Sequence, residues 1–143
     1  MSHNWKFRGF DAMGRKGWVY GDLVHNKKVT ETGLEDRVMV GGYEVVPESI
    51  GICTNIKDKD GNDIYEGDIV ECVSWNEFFS KDGQPMEPFR RKMFVDYRRG
   101  GFKMVEPMPE PMKDNEWDII YNGDITIIGN VYEDSDLIHD KKL

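Results

Sequence analysis

Apolar and aromatic residues recur along this chain in short runs broken by Gly, Pro, Asn and Asp, the pattern of a many-stranded β protein. Trp5, Phe7 and Phe10 sit among polar neighbours, and alternation puts Trp5 and Phe7 on one face of a first strand. Residues 11–16 (DAMGRK) read as a turn. Trp18 and Tyr20 restart an extended run, which residues 21–24 continue as a second hairpin arm. Residues 27–32 are polar and turn-like, and residues 36–40 and 43–46 predict a strand pair across Gly41 and Gly42.

The densest signals lie in residues 57–70, KDKDGNDIYEGDIV, around which the other strands are expected to gather. Asp60 and Gly61 form a hairpin turn pair, because Gly accepts the positive φ of a tight turn. Glu66, Gly67 and Asp68 form a second turn between the apolar pairs Ile64-Tyr65 and Ile69-Val70, and the carboxylates are expected to fix this corner through backbone amides. Asp22, beside Gly21, is read the same way. Turn, strand, corner and strand together predict the entrance to a small antiparallel β-barrel. Pro47 cannot donate to a ladder and holds Val46 extended, which sets an expected boundary there. Residues 1–46 then form an N-terminal β unit and residues 47–143 the main barrel-like unit, together one domain.

Residues 50–56 and 70–75 continue as strands. Residues 76–88 are rich in turn formers yet contain Phe78 and Phe79, which with Trp75 are candidate partner contacts if they do not fold back onto the core. Residues 89–97 predict a strand led by Arg90, Arg91 and Lys92. Arg98, Arg99, Gly100 and Gly101 turn it into residues 102–105. Three Pro at alternate positions make residues 104–112 an extended loop. Residues 117–121 and 124–128 predict a closing strand pair across Asn122-Gly123, and Ser135 caps a short helix or turn over residues 136–139.

Composition sharpens this picture. A chain of 143 residues, 38% hydrophobic and 12% aromatic, can bury a core. Acids outnumber bases by 27 to 19, for a net charge of -8, which argues against duplex binding over the whole surface but leaves room for a local basic patch. Cys53 and Cys72 have no CxxC partner and read as reduced, partly buried thiols of a cytoplasmic protein, a disulfide being the alternative. No apolar run approaches a bilayer span or a leader, so a soluble, unexported protein with no membrane partner is expected.

Several segments together resemble the YopX family of phage and prophage proteins: KFRGFD (residues 6–11), VYGDL (19–23), VPESIGICTNIKDKDGNDIYEGDIV (46–70), GGF (100–102) and IIGNVYEDSDLI (127–138). The resemblance runs through nearly the whole chain and departs from the family in residues 74–88. It implies a small, mostly β protein of mobile elements, acting in the bacterial host cytoplasm, with oligomerisation plausible, and it brings no catalytic residues.

The residues themselves point away from catalysis. Asp58, Asp60 and Asn62 match the first ligand positions of an EF-hand loop, but Asp63 stands where its Gly belongs and Ile69 where its bidentate Glu belongs, so a solvated turn is expected. His3, His25 and His139 have no metal-type spacing, and no nucleophile elbow or phosphate loop is present. No catalytic residue, metal or cofactor is therefore assigned. The expected function is a non-enzymatic, self-associating binding or assembly module with a host or phage protein as a further partner. The alternative is single-stranded nucleic-acid binding by Arg90, Arg91, Lys92, Tyr97, Arg98 and Arg99, with Phe94 and Phe102 as stacking faces.

Overall fold

Alternating β-branched and aromatic side chains, interrupted wherever Gly permits a reversal, yield three open antiparallel sheets in the computed structural model, which describes residues 5–74, 89–119 and 124–139. β1 (Phe7–Phe10), β2 (Trp18–Gly21), β6 (Gly51–Lys57) and β7 (Asp63–Tyr65) form a four-stranded sheet in the order β2-β1-β6-β7. β3 (Leu23–Thr30), β4 (Gly33–Val40) and the two-residue β5 (Tyr43–Glu44) form a second. The third contains β8 (Asp68–Ser74), β9 (Phe89–Arg98), β10 (Gly101–Glu106), β11 (Asn115–Asp118) and β12 (Asp124–Asn130), in the order β11-β10-β9-β8-β12. A 3₁₀ turn at Pro47–Ser49 and the single-turn helix α1 (Asp136–His139) complete the described elements.

The protein is mostly β, as expected, and among the described residues its small antiparallel sheets do not close into a barrel. The 3₁₀ turn at Pro47 lies at the expected boundary between the two units of the one domain, and β1 pairs with β6 across it through Phe7 and Ile52. Two clusters of buried side chains hold the sheets together. Val19, Val38, Val40 and Val45 join the first two sheets, with Phe7, Leu23 and Ile50 packed around them. Ile64 of β7 is buried with Val70, Cys72, Met93, Val95, Met104, Ile119 and Ile125, so the β6–β7 hairpin caps one face of the five-stranded sheet. Both cysteines are buried and unlinked.

Two strand assignments differ from the sequence reading. Residues 27–32 are not a turn: Leu23–Thr30 runs as one strand against Gly33–Val40, in register from Leu23↔Val40 to Thr30↔Gly33. Polar residues on both faces hide the alternation, and cross-strand pairs replace the apolar contacts, with Lys27 Nζ 2.7 Å from Asp36 and Arg37 Nε donating to Asn26 at 2.6 Å. The described strands of the expected closing hairpin do not pair with each other either. β11 pairs with β10 and β12 with β8, at opposite edges of the sheet, because Trp117 lies opposite Met104 and Ile125 opposite Cys72. Asn122 and Gly123 lie outside the described residues.

Gly51 shows how closely the sheets approach the corner after β7. A Cβ there would stand 2.2 Å from the Glu66 backbone oxygen, which no side-chain rotation relieves. Gly51→Ala is therefore expected to destabilise the protein by about 3 kcal/mol, the upper end of ordinary overpacking. A urea titration followed by tryptophan fluorescence measures it, and an unchanged midpoint would show that β6 can move away from the corner.

Candidate functional site

The turn residues of the densest segment build the interior of the molecule. Gly67, at φ +94°, lets the chain reverse between β7 and β8. Asp68 then turns inward, is only 2% exposed, and accepts the Tyr65 amide at 2.7 Å. Its other oxygen lies 2.6 Å from Nη1 of Arg8, which arrives from β1. The Arg8 guanidinium lies between aromatic rings, 4.7 Å from the Trp18 centroid and 5.1 Å from that of Tyr65. Burial pushes the Asp68 carboxyl up from its ordinary value, while Arg8 and the Tyr65 amide pull the other way. Burial also raises Glu66, with Asp96 adding like-charge repulsion.

At the first turn Asp58, rather than Asp60, is the organiser. It is buried instead of solvated, and it accepts the amides of Asp60 and Asn62 at 2.9 Å and that of Ile127 on β12 at 3.2 Å. Gly61, at φ +85°, completes the turn by donating to the Asp58 carbonyl. Burial opposes ionisation of Asp58, yet the amide bonds prevail and hold the carboxyl below its ordinary 3.8. A depressed pKa contributes stability above the unfolded-state value and loses it as pH falls through the folded-state value. Asp58→Asn is expected to make unfolding less sensitive to acid below about pH 4; parallel slopes of stability against pH for the two proteins would refute this. Among the described residues no group of three His, Cys, Asp or Glu side chains is placed to hold a metal ion.

The basic hairpin is divided and largely neutralised. Alternation places Arg91 and Tyr97 on the face of β9 that buries Met93 and Val95, and Arg90, Lys92, Phe94 and Arg98 on the other. Arg90 lies 3.3 Å from Glu71, Arg91 2.9 Å from Glu106, and Arg98 2.9 Å from both Asp96 and Glu116. Arg99 also pairs with Glu116, and Lys92 is opposite Glu71 in the β8–β9 register. Tyr97 packs edge-on against Phe102, with centroids 5.3 Å apart. Trp75, Phe78 and Phe79 lie outside the described residues.

Sequence reading missed the outer half of the β3–β4 ribbon. β5 covers only Met39 and Val40 of β4, so beyond them both long strands lack a sheet neighbour on their outer sides among the described residues. At the tip Val29 and Leu34 stand directly opposite one another, 83% and 66% exposed. The available signal was an apolar residue on each side of a polar turn.

Fold and interior together define a small, mostly β protein of open sheets gathered on a buried Arg–Asp pair. The family model described as YopX protein matches residues 6–139, and the chain belongs to that family. A search of curated proteins finds no match. Among solved structures, the crystal structure of protein EF1440 from Enterococcus faecalis is similar, with a TM-score of 0.51 and 21% identity over 96% of this chain and 99% of that one. At that identity the likeness is one of fold. No helix among the described residues is long and apolar enough to cross a membrane.

Proposed function

We propose that this YopX protein is a non-enzymatic assembly module that self-associates through the tip of its β3–β4 ribbon. The observation that carries the reading is the cross-strand pair Val29 and Leu34, exposed at the end of a two-stranded ribbon. An isolated two-stranded ribbon is marginal in water and gains by covering such a pair. Lys27 and Lys28 reach across the ribbon to Asp36 and Glu44, at 2.7 and 3.0 Å, which leaves the apolar pair at the tip as the feature open to a copy. A two-fold axis across the tips would stack Val29 and Leu34 on their copies.

A contact confined to these side chains is small, so the expected dimer is weak and concentration-dependent. Sedimentation equilibrium tests it: Val29→Asp with Leu34→Asp is expected to give a monomer at all concentrations. A wild-type monomer, or a dimer indifferent to the tip, would overturn the proposal. Single-stranded oligonucleotide is expected to leave the mass unchanged, since carboxylates already offset the basic hairpin; a shift that vanishes at high salt would favour the nucleic-acid alternative. Family resemblance supplies the expected setting, the cytoplasm of a bacterial host.

A further inference from the structure

Where β1, the 3₁₀ turn, the Glu66–Gly67 corner, β9 and the chain after β12 meet, they enclose a cavity of about 320 Å³, within the range of small-ligand sites. Its charge is lopsided. Arg8 lines it, but Asp68 neutralises that guanidinium at 2.6 Å. Glu48, Glu66 and Asp96 line it as well, and among the described residues only Asp96 of the three has a cation at ion-pair distance, Arg98 at 2.9 Å, whose guanidinium also lies 5.8 Å from the Phe94 centroid. The rings of Phe94 and Tyr132 supply apolar wall. Arg8 has donor capacity to spare: of its five N–H groups, one meets Asp68, one reaches the Glu66 carbonyl at a long 3.5 Å, and its buried Nε has no partner.

We propose that this cavity binds an organic cation, an alkylammonium group held by Glu66 and Glu48 with its carbon stem against Phe94 and Tyr132. Carboxylates without a cation partner among the described residues, beside aromatic side chains, suit such a group, because the charge finds its counter-ion while the carbon stem leaves water against the rings. A metal ion is a poorer occupant, since the described carboxylates do not converge as three ligands. The Arg8 N–H groups favour a cation that carries an acceptor nearby, as the backbone carbonyl of a lysyl residue does. The ammonium could come from a free polyamine or from a lysine of another protein, and the test separates the two.

The experiment follows the backbone amides of Gly67 and Val131 in ¹H–¹⁵N spectra while putrescine, Nα-acetyl-lysine N-methylamide and its uncharged norleucine analogue are titrated separately. Both ammonium compounds, or either one, are expected to shift these amides saturably, and the norleucine analogue is not. Binding of the lysine derivative alone identifies a protein side chain as the source, and binding of putrescine alone a free amine. Glu66→Gln is expected to weaken the binding about tenfold, the loss of one charge-assisted hydrogen bond. Glu48→Gln, on the exposed side, serves as the second variant and is expected to weaken it less without disturbing the fold. No binding by either cation, equal binding by norleucine, or affinity unchanged in both variants would overturn the proposal. Loss of self-association in the ribbon-tip variants leaves this result untouched, so the two proposals fail separately.

Discussion

Replacing Asp68 with alanine is expected to lower the unfolding free energy by about 3–5 kcal/mol, a large share of the roughly 5–15 kcal/mol available to a domain of this kind. The substitution strands Arg8, whose guanidinium lies between Trp18 and Tyr65 with Asp68 as its carboxylate at 2.6 Å. It also leaves the buried Tyr65 amide without its acceptor. Removing one member of a buried pair costs far more than the pair is worth, because the survivor keeps its desolvation penalty. Arg8→Met combined with Asp68→Leu is therefore expected to recover the part of the loss due to the stranded guanidinium, while the Tyr65 amide stays without its acceptor. Urea titrations of the wild type and the two variants decide this: a double variant no better than Asp68→Ala would show that the stranded charge is not what costs the stability.

Ile64→Ala is expected to cost about 2–5 kcal/mol. Ile64 is fully buried on a strand of three residues, so little neighbouring backbone can collapse into the space it vacates. Its carbonyl accepts the Thr54 hydroxyl at 2.7 Å, which holds β7 in place while the side chain is missing. The cavity would open where the β6–β7 hairpin meets the five-stranded sheet, against Val70, Met93 and Ile125. Leu34→Ala, at the exposed ribbon tip, is the comparison and is expected to change monomer stability by no more than about 0.5 kcal/mol. Equal losses at the two sites would mean that the tip is covered within one chain, which would also remove the basis for self-association.

The strands and corners were legible where chemistry is local. Gly61, Gly67 and Gly41 mark reversals because their positive φ values suit residues without Cβ, and the β-branched runs at Ile69-Val70 and Ile125 to Ile127 mark strands wherever they pair. The ribbon of residues 23–40 was harder to read. Solvated on both sides for much of its length, it shows no alternation, and the cross-strand ion pair of Lys27 with Asp36 becomes visible only in register. The closing hairpin was misread for a related reason: Asn122-Gly123 describes a local turn, whereas the partners of Trp117 and Ile125 are chosen by the faces they can bury. Arg8 carried no signal of its own beyond its place in KFRGFD, since one arginine between strand residues looks like any surface cation.

What the sequence determined by itself was the β class and most of the turns, which rest on neighbours within a few residues, and the resemblance to the YopX family. Tertiary structure alone decided that the sheets stay open, that β1 crosses to β6, that Asp58 and Asp68 turn inward, and that the arginines of β9 meet carboxylates. The reason is desolvation. Whether a charge is an asset or a burden depends on what faces it once water has left, and residues as distant in sequence as Arg8 and Asp68 meet only after the chain has folded.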